Sequence, residues 1–142
     1  MDKKPTIGFS LKKITTEQFA VFENAFDEKK KIDINTEIKF GVDHENKIIA
    51  TFTLFKFEQE QIVFLLIEAC CNFTVEEDSW KSFSNTEHKL KIDKGFLSHL
   101  AMLTVGTARG ILHSKTEGTR FNEYCLPTIN VAEMISADAL FD

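Results

Sequence analysis

Ile62-Val63-Phe64-Leu65-Leu66-Ile67-Glu68-Ala69-Cys70-Cys71-Asn72-Phe73-Thr74-Val75 is the stretch that decides the fold. Every odd position from Val63 to Val75 is apolar, which is the two-residue period of a strand with one buried face. The even positions Ile62, Phe64 and Leu66 are apolar as well, so the first half has no wet face. An antiparallel meander can leave one face to water. A strand apolar on both faces needs a second cover, from helices of its own chain or from another subunit.

Working outward, the preceding segments supply the partners of this strand. Ile32, Ile34, Ile38, Phe40 and Val42 alternate with Asp33, Asn35, Glu37, Lys39 and Gly41, the pattern of a half-buried strand. The turn residues Asp43-His44-Glu45-Asn46 lead into a β-branched and aromatic run, Ile48 to Phe57, and the two runs read as a hairpin. Glu58-Gln59-Glu60-Gln61 then turns the chain into the deciding strand. Residues Ile7 to Phe26 alternate in pieces, Ile7-Phe9-Leu11 and Phe19-Val21, with a break around Ile14 to Gln18; this reads as one long interrupted strand.

Downstream, Glu76 to Lys94 reads as a long polar loop carrying two aromatics, Trp80 and Phe83. From Phe96 to about Ser114 the apolar residues recur at three and four, which predicts the main helix. Gly118 serves as its stop signal, and Lys115 suits the negative end of the helix dipole. Asn130 with Glu133 three residues on forms a capping box, predicting a short last helix over Val131 to Leu140. The expected fold class is α+β, a four-stranded antiparallel sheet followed by one long and one short helix, in a single domain over residues 1–142.

Composition narrows the function classes. A formal charge of -5 and a pI near 5.4 remove the attraction to phosphate that drives non-specific nucleic-acid binding. No apolar segment follows Met1-Asp2-Lys3-Lys4-Pro5, and no run of about 18 apolar residues occurs, so neither secretion nor membrane insertion is expected. Three cysteines, Cys70, Cys71 and Cys125, suggest buried free thiols in a reducing cytoplasm and no disulfide framework. Fourteen phenylalanines beside one Tyr and one Trp imply either a dense aromatic core or a surface that receives apolar ligands.

The search for chemistry returns no catalytic residue, metal site or cofactor. His44, His88, His99 and His113 are scattered. On one helix His99 and His113 stand about 21 Å apart at 1.5 Å per residue, too far to share an ion. The nearest approach to a phosphate loop, Gly110 to Lys115-Thr116, has Ser114 where the second glycine belongs. Glu68, inside an apolar strand, is expected to be satisfied by a hydrogen bond or a cation such as Arg109 and not to act as a catalytic acid. Gly106 and Gly110 lie four apart on one helix side; they permit close packing against the protein's own sheet or against a helix of another subunit.

In element order and local wording the second half resembles the SecB family of export chaperones and their SecB-like relatives. The resemblance is carried by Ala108-Arg109 in the long helix, then Phe121, Leu126, Ile129, Asn130 and Val131. The strand wording Phe64-Leu65-Leu66-Ile67-Glu68 to Phe73-Thr74-Val75 adds to it. Three positions depart from the family pattern: Pro127 stands one place early, Val131 replaces an aromatic, and Cys71 replaces a glycine. The resemblance implies a cytoplasmic homodimer or dimer of dimers (a homotetramer) with long helices between the sheets. It also implies a holdase that binds unfolded polypeptides in apolar grooves, without nucleotide or metal. Such a chaperone serves protein transport, with the translocation ATPase as a partner, or serves a toxin–antitoxin pair.

On that reading Phe73, Trp80, Phe121, Tyr124 and Leu126 line the client groove, and Gly106 and Gly110 form the oligomer contact. The alternative is a non-chaperone oligomeric binding module of the same fold that recognises one specific partner or a small apolar ligand.

Overall fold

Alternation in the sequence becomes strand pairing in the computed structural model, which describes residues 6–86, 89–124, 126 and 130–142, and of 84–86 the backbone alone. Strands β1 (Phe9–Val21), β2 (Asp33–Asp43), β3 (Ile48–Gln59) and β4 (Ile62–Val75) form an antiparallel sheet in the order β1-β4-β3-β2. The last three make the expected meander. The two edges are β1 and β2, so residues 22–32 must cross the width of β4 and β3 to join them.

The interruption read in the first strand is two irregularities in one continuous strand. Its register against β4 shifts between Leu11 and Lys13 and again between Thr16 and Gln18, and each shift puts a residue out of alternation. The chain leaves the sheet after Val21, and a 3-10 turn at Glu23–Ala25 opens the crossover. A further shift between β3 and β4 explains part of the two-faced apolar run. Phe57 pairs with Leu65 and Glu58 with Val63, which leaves Phe64 as the extra residue. Phe64 is thereby buried in the same cluster as Phe57 and Leu65.

Helix α2 (Lys94–Thr116) lies across β3 and β4. Asp93 caps it, its carboxylate accepting the Gly95 amide at 3.0 Å. Its buried row, Leu97, Leu100, Ala101, Thr104, Val105, Ala108 and Leu112, faces the alternate residues of β4 that the period of two had marked. The buried residues divide into two clusters. One gathers Phe55, Phe57, Phe64, Leu65 and Ile67 with Phe121, Leu126 and Val131. The other gathers Ile49, Cys71, Phe73 and Val75 with Trp80, Phe83, Leu90, Ile92, Phe96 and Leu97.

Most of the described residues in the polar segment after β4 lie in short regular elements and not in a loop. It holds α1 (Glu77–Lys81), β5 (Ser84–Thr86) and β6 (Lys89–Ile92). Trp80 and Phe83 are buried in the second cluster, because these short elements fold over the end of the large sheet. The last helix is shorter than expected: α3 (Val131–Met134) begins on the Asn130 cap but ends at Ile135. The chain then extends into β7 (Ala139–Phe141), which pairs with β6. Asp138 explains the change, since its carboxylate accepts the Lys94 amide at 2.9 Å and pairs with Lys91 at 3.7 Å. His88, Cys125, Pro127 and Ile129 lie outside the described residues.

The β3–β4 turn has two residues, Glu60 and Gln61, both left-handed with φ of 52° and 71°. Asn-Gly adopts that geometry with less strain. Glu60→Asn with Gln61→Gly is expected to stabilise the protein by about 1 kcal/mol, read as a higher denaturation midpoint at unchanged m-value. The exposed Lys30–Glu60 pair lost in the exchange contributes little.

Candidate functional site

The first cluster concentrates rings where the crossover meets the chain after α2. Phe26 projects from the crossover and lies 4.9 Å from Phe64, 5.3 Å from Phe121 and 5.9 Å from Tyr124, centroid to centroid. Phe57 adds a fifth ring, 6.2 Å from Phe64. Most of these contacts are edge-on or tilted, the arrangements that the ring quadrupole favours. A 3-10 turn at Arg120–Glu123 positions Phe121, with the Thr119 hydroxyl accepting the Phe121 amide at 3.2 Å. Burial first, then the hydrogen bond to Glu123, pushes the Tyr124 phenol above its ordinary range.

A cation closes the cluster from outside. The Arg120 guanidinium carbon lies 4.8 Å from the Phe26 centroid and 5.1 Å from that of Phe121. The same group reaches Glu23 at 4.0 Å and Glu28 at 3.7 Å, both on the crossover. Gln59 holds the crossover from the sheet side: its carbonyl accepts the Asp27 amide at 2.9 Å, and its Nε2 donates to the Asp27 and Lys30 carbonyls. An open concavity of about 560 Å³ is formed by the crossover itself, lined by Asn24, Phe26, Asp27, Glu28 and Lys30 with Ile62 of β4. A second, of about 290 Å³, is floored by Phe19, Val21 and Phe121 and rimmed by Glu23 and Lys115.

The five side chains singled out as groove candidates do not share one groove. Phe121, Tyr124 and Leu126 belong to the first cluster, whereas Phe73 and Trp80 belong to the second, near the far end of β4. Only Tyr124 of the five is partly exposed; the rest are buried within the protomer. Residues in a loop looked free because their covering partner, Phe26, is 95 or more positions away in sequence and carries no signal of its own. Arg120 and Phe64 were likewise missed, although the apolar even position of Phe64 was visible.

Gly106 and Gly110 face away from the sheet. A Cβ built on either meets no atom within 4 Å, so close packing against the protein's own sheet is not their purpose. The same outer face carries Met102 and Leu103, which are 59% and 42% exposed. Leu11 and Ile14 of β1 are exposed too, and they pair with Phe73 and Cys71, residues of the face that α2 covers. The hydrogen-bond donor to buried Glu68 is Gln18 of β1, whose Nε2 lies 2.9 Å from Oε1. Arg109 instead donates from Nε to the Leu126 carbonyl at 3.4 Å. Among the described residues no three His, Cys, Asp or Glu converge as a metal site, and no helix is long and apolar enough to cross a membrane.

No family model matches the sequence, and no curated protein matches it. Solved structures do. The SecB-like chaperone of Mycobacterium tuberculosis, in complex with a ChAD peptide from an antitoxin, superposes with a TM-score of 0.51 at 13% identity, over 85% of this chain and 90% of that one. A protein of unknown function from Streptococcus agalactiae superposes at 0.40 and 10% identity, over 88% of this chain and 99% of that one. The chain therefore has a SecB-like α+β fold, a four-stranded antiparallel sheet with one long helix and short ones.

The burial of Phe121 generates a direct test. Phe121→Ala is expected to cost about 3–5 kcal/mol in denaturant unfolding, the range for emptying a buried ring site. A cost under 1 kcal/mol would mean that this ring is free to serve a ligand surface in place of the core.

Proposed function

We propose that the protein is a holdase chaperone that binds unfolded or partly folded polypeptide through apolar contacts, working as a homodimer or dimer of dimers without nucleotide or metal. The observation that carries the reading is where this fold leaves apolar side chains uncovered. Leu11 and Ile14 of β1 lie on the helix side of the sheet, 48% and 47% exposed. Apolar contact is non-directional, so such a surface accepts many sequences. That the similar mycobacterial chaperone holds an antitoxin peptide supports a toxin–antitoxin partner more than the translocation ATPase.

The outer face of α2 is self-complementary, which supports a second copy as its neighbour. His99 and His113 lie seven residues either side of Gly106, and Met102 and Gly110 lie four either side. Two antiparallel helices crossing at Gly106 therefore set the Met102 side chain of each over the open space at Gly110 of the other. Arg109 is the one charged residue between Gly95 and Ser114, so little charge is desolvated in the contact.

A second reading is favoured by one observation, the burial of most of the aromatic cluster in the protomer. On that reading the protein is a binding module for a single partner and not a general holdase.

Purified protein is expected to suppress aggregation of several unrelated unfolded chains at stoichiometric ratio without ATP. Suppression of none, with tight binding of one partner, would select the second reading. Gly110→Leu is expected to shift the oligomer toward smaller species in light scattering while circular dichroism stays unchanged, since the substituted side chain has room within the protomer. An unaltered oligomer would remove α2 from the contact.

A further inference from the structure

His99 and His113 are both exposed on the outer face of α2, each two turns from Gly106 and within about 20° of the line through that glycine. Within one chain about 21 Å of helix keeps the two imidazoles apart. A second copy removes the separation. When two α2 helices cross antiparallel at Gly106, His99 of one chain and the partner's His113 fall at the same height, about 10.5 Å from the crossing point, and the two-fold axis repeats the pair. At the crossing of about 20° common in bundles the axes part by only about 4 Å at that height.

The described surroundings supply no counter-charge for a protonated ring. From β1, Phe9 packs edge-on to His99 at 5.7 Å. From the 3-10 turn after α2, Asn122 Nδ2 lies 3.4 Å from His113 Nδ1. The same amide nitrogen donates to the His113 carbonyl at 3.0 Å and to Thr116 Oγ1 at 3.2 Å, so Nδ1 accepts and the ring proton is on Nε2. A second proton, on Nδ1, sets donor against donor. Arg109 is the only other charge on the outer stripe, and it is positive. Asp93 and Glu117 flank the helix, α3 brings Glu133, and the turn brings Arg120 and Glu123. Among the described residues no carboxylate ion-pairs with either ring.

Resting on the antiparallel assembly proposed above, we infer that His99 and the partner's His113 form a pH-sensitive catch, which holds two copies together until both rings are protonated. A neutral or singly protonated pair shares one hydrogen bond between ring nitrogens. A doubly protonated pair places like charges side by side in a contact that otherwise desolvates only Arg109. An imidazole ordinarily changes charge near pH 6.5. Separated copies bind protons more readily than assembled ones, so association is full above about pH 6.5 and weakens as pH falls through it. Excluding the doubly charged state from both pairs raises the dissociation constant about thirtyfold between pH 7.5 and pH 5.5. Separation bares Met102 and Leu103, so acid uncovers apolar surface.

Sedimentation velocity of the intact chain at the two pH values reads the shift, with circular dichroism to show that the fold persists. His99→Gln and His113→Gln are each expected to reduce the change from about thirtyfold to under about threefold, and the double variant to go no further, because either ring alone has no charged partner. That reciprocity keeps the test available from His113→Gln if His99→Gln disturbs the packing on Phe9. Two smaller, additive losses overturn the pairing. A wild-type oligomer that Gly110→Leu weakens but pH 5.5 does not overturns the catch and leaves the assembly reading standing. A wild type that is monomeric at pH 7.5 removes both.

Discussion

Where α2 crosses the sheet, both surfaces are built of small side chains. Ala101, Thr104 and Ala108 come from the helix, and Thr51, Thr53, Ala69 and Cys71 from the two central strands, all buried. Large residues at those positions would hold the helix off, and the rest of the arrangement follows from the close approach. The large side chains are displaced to the two ends of the crossing, which is why the buried residues form two clusters. The closeness has a cost in polar satisfaction. Thr104 donates its hydroxyl to the Leu100 carbonyl at 2.9 Å, but Thr51 and Thr53 find no hydrogen-bond partner among the described residues.

The two clusters are covered by different parts of the chain. The first is closed by the crossover and by the turn after α2, through Phe26, Phe121 and Tyr124. The second is closed by the small sheet β5-β6-β7 and by α1, through Trp80, Phe83, Leu90 and Ile92. Trp80 stacks edge-on to Phe83, and Phe83 tilts against Phe96 at the start of α2. The small sheet is therefore part of the core's enclosure. The first cover is held at its rim by exposed charges, while the second is held by buried rings and by the strand pairing of β6 with β7.

What the sequence displayed was whatever one long element records by itself. The alternation of Ile34, Ile38, Phe40 and Val42 and the deciding run of β4 gave strands within a residue or two of those found. Asn130 does cap α3, its side-chain Oδ1 accepting the Glu133 amide at 3.3 Å. Short elements were illegible because three to five residues contain too little of a period, so β5, β6 and α1 read as loop and β7 as helix. The candidate site was half visible. Phe121 and Tyr124 stood out as aromatics in a connector, but Phe26 and Arg120 meet them only through the crossover, a non-local contact that periodicity cannot register.

The position of β1 at the edge beside β4 bears on the order in which the molecule is assembled. Gln18 and Glu68, partners across that pairing, are 50 residues apart in sequence, whereas β2, β3 and β4 need only two short turns. Loop closure of that length makes the β1–β4 pairing the slow one, and the meander with α2 is free to form first. During synthesis the first strand leaves the ribosome with Phe9, Leu11, Ile14, Phe19 and Val21 on it and no strand to pair with until β4 follows. Until β4 follows, β1 is an unfolded apolar segment awaiting a sheet edge.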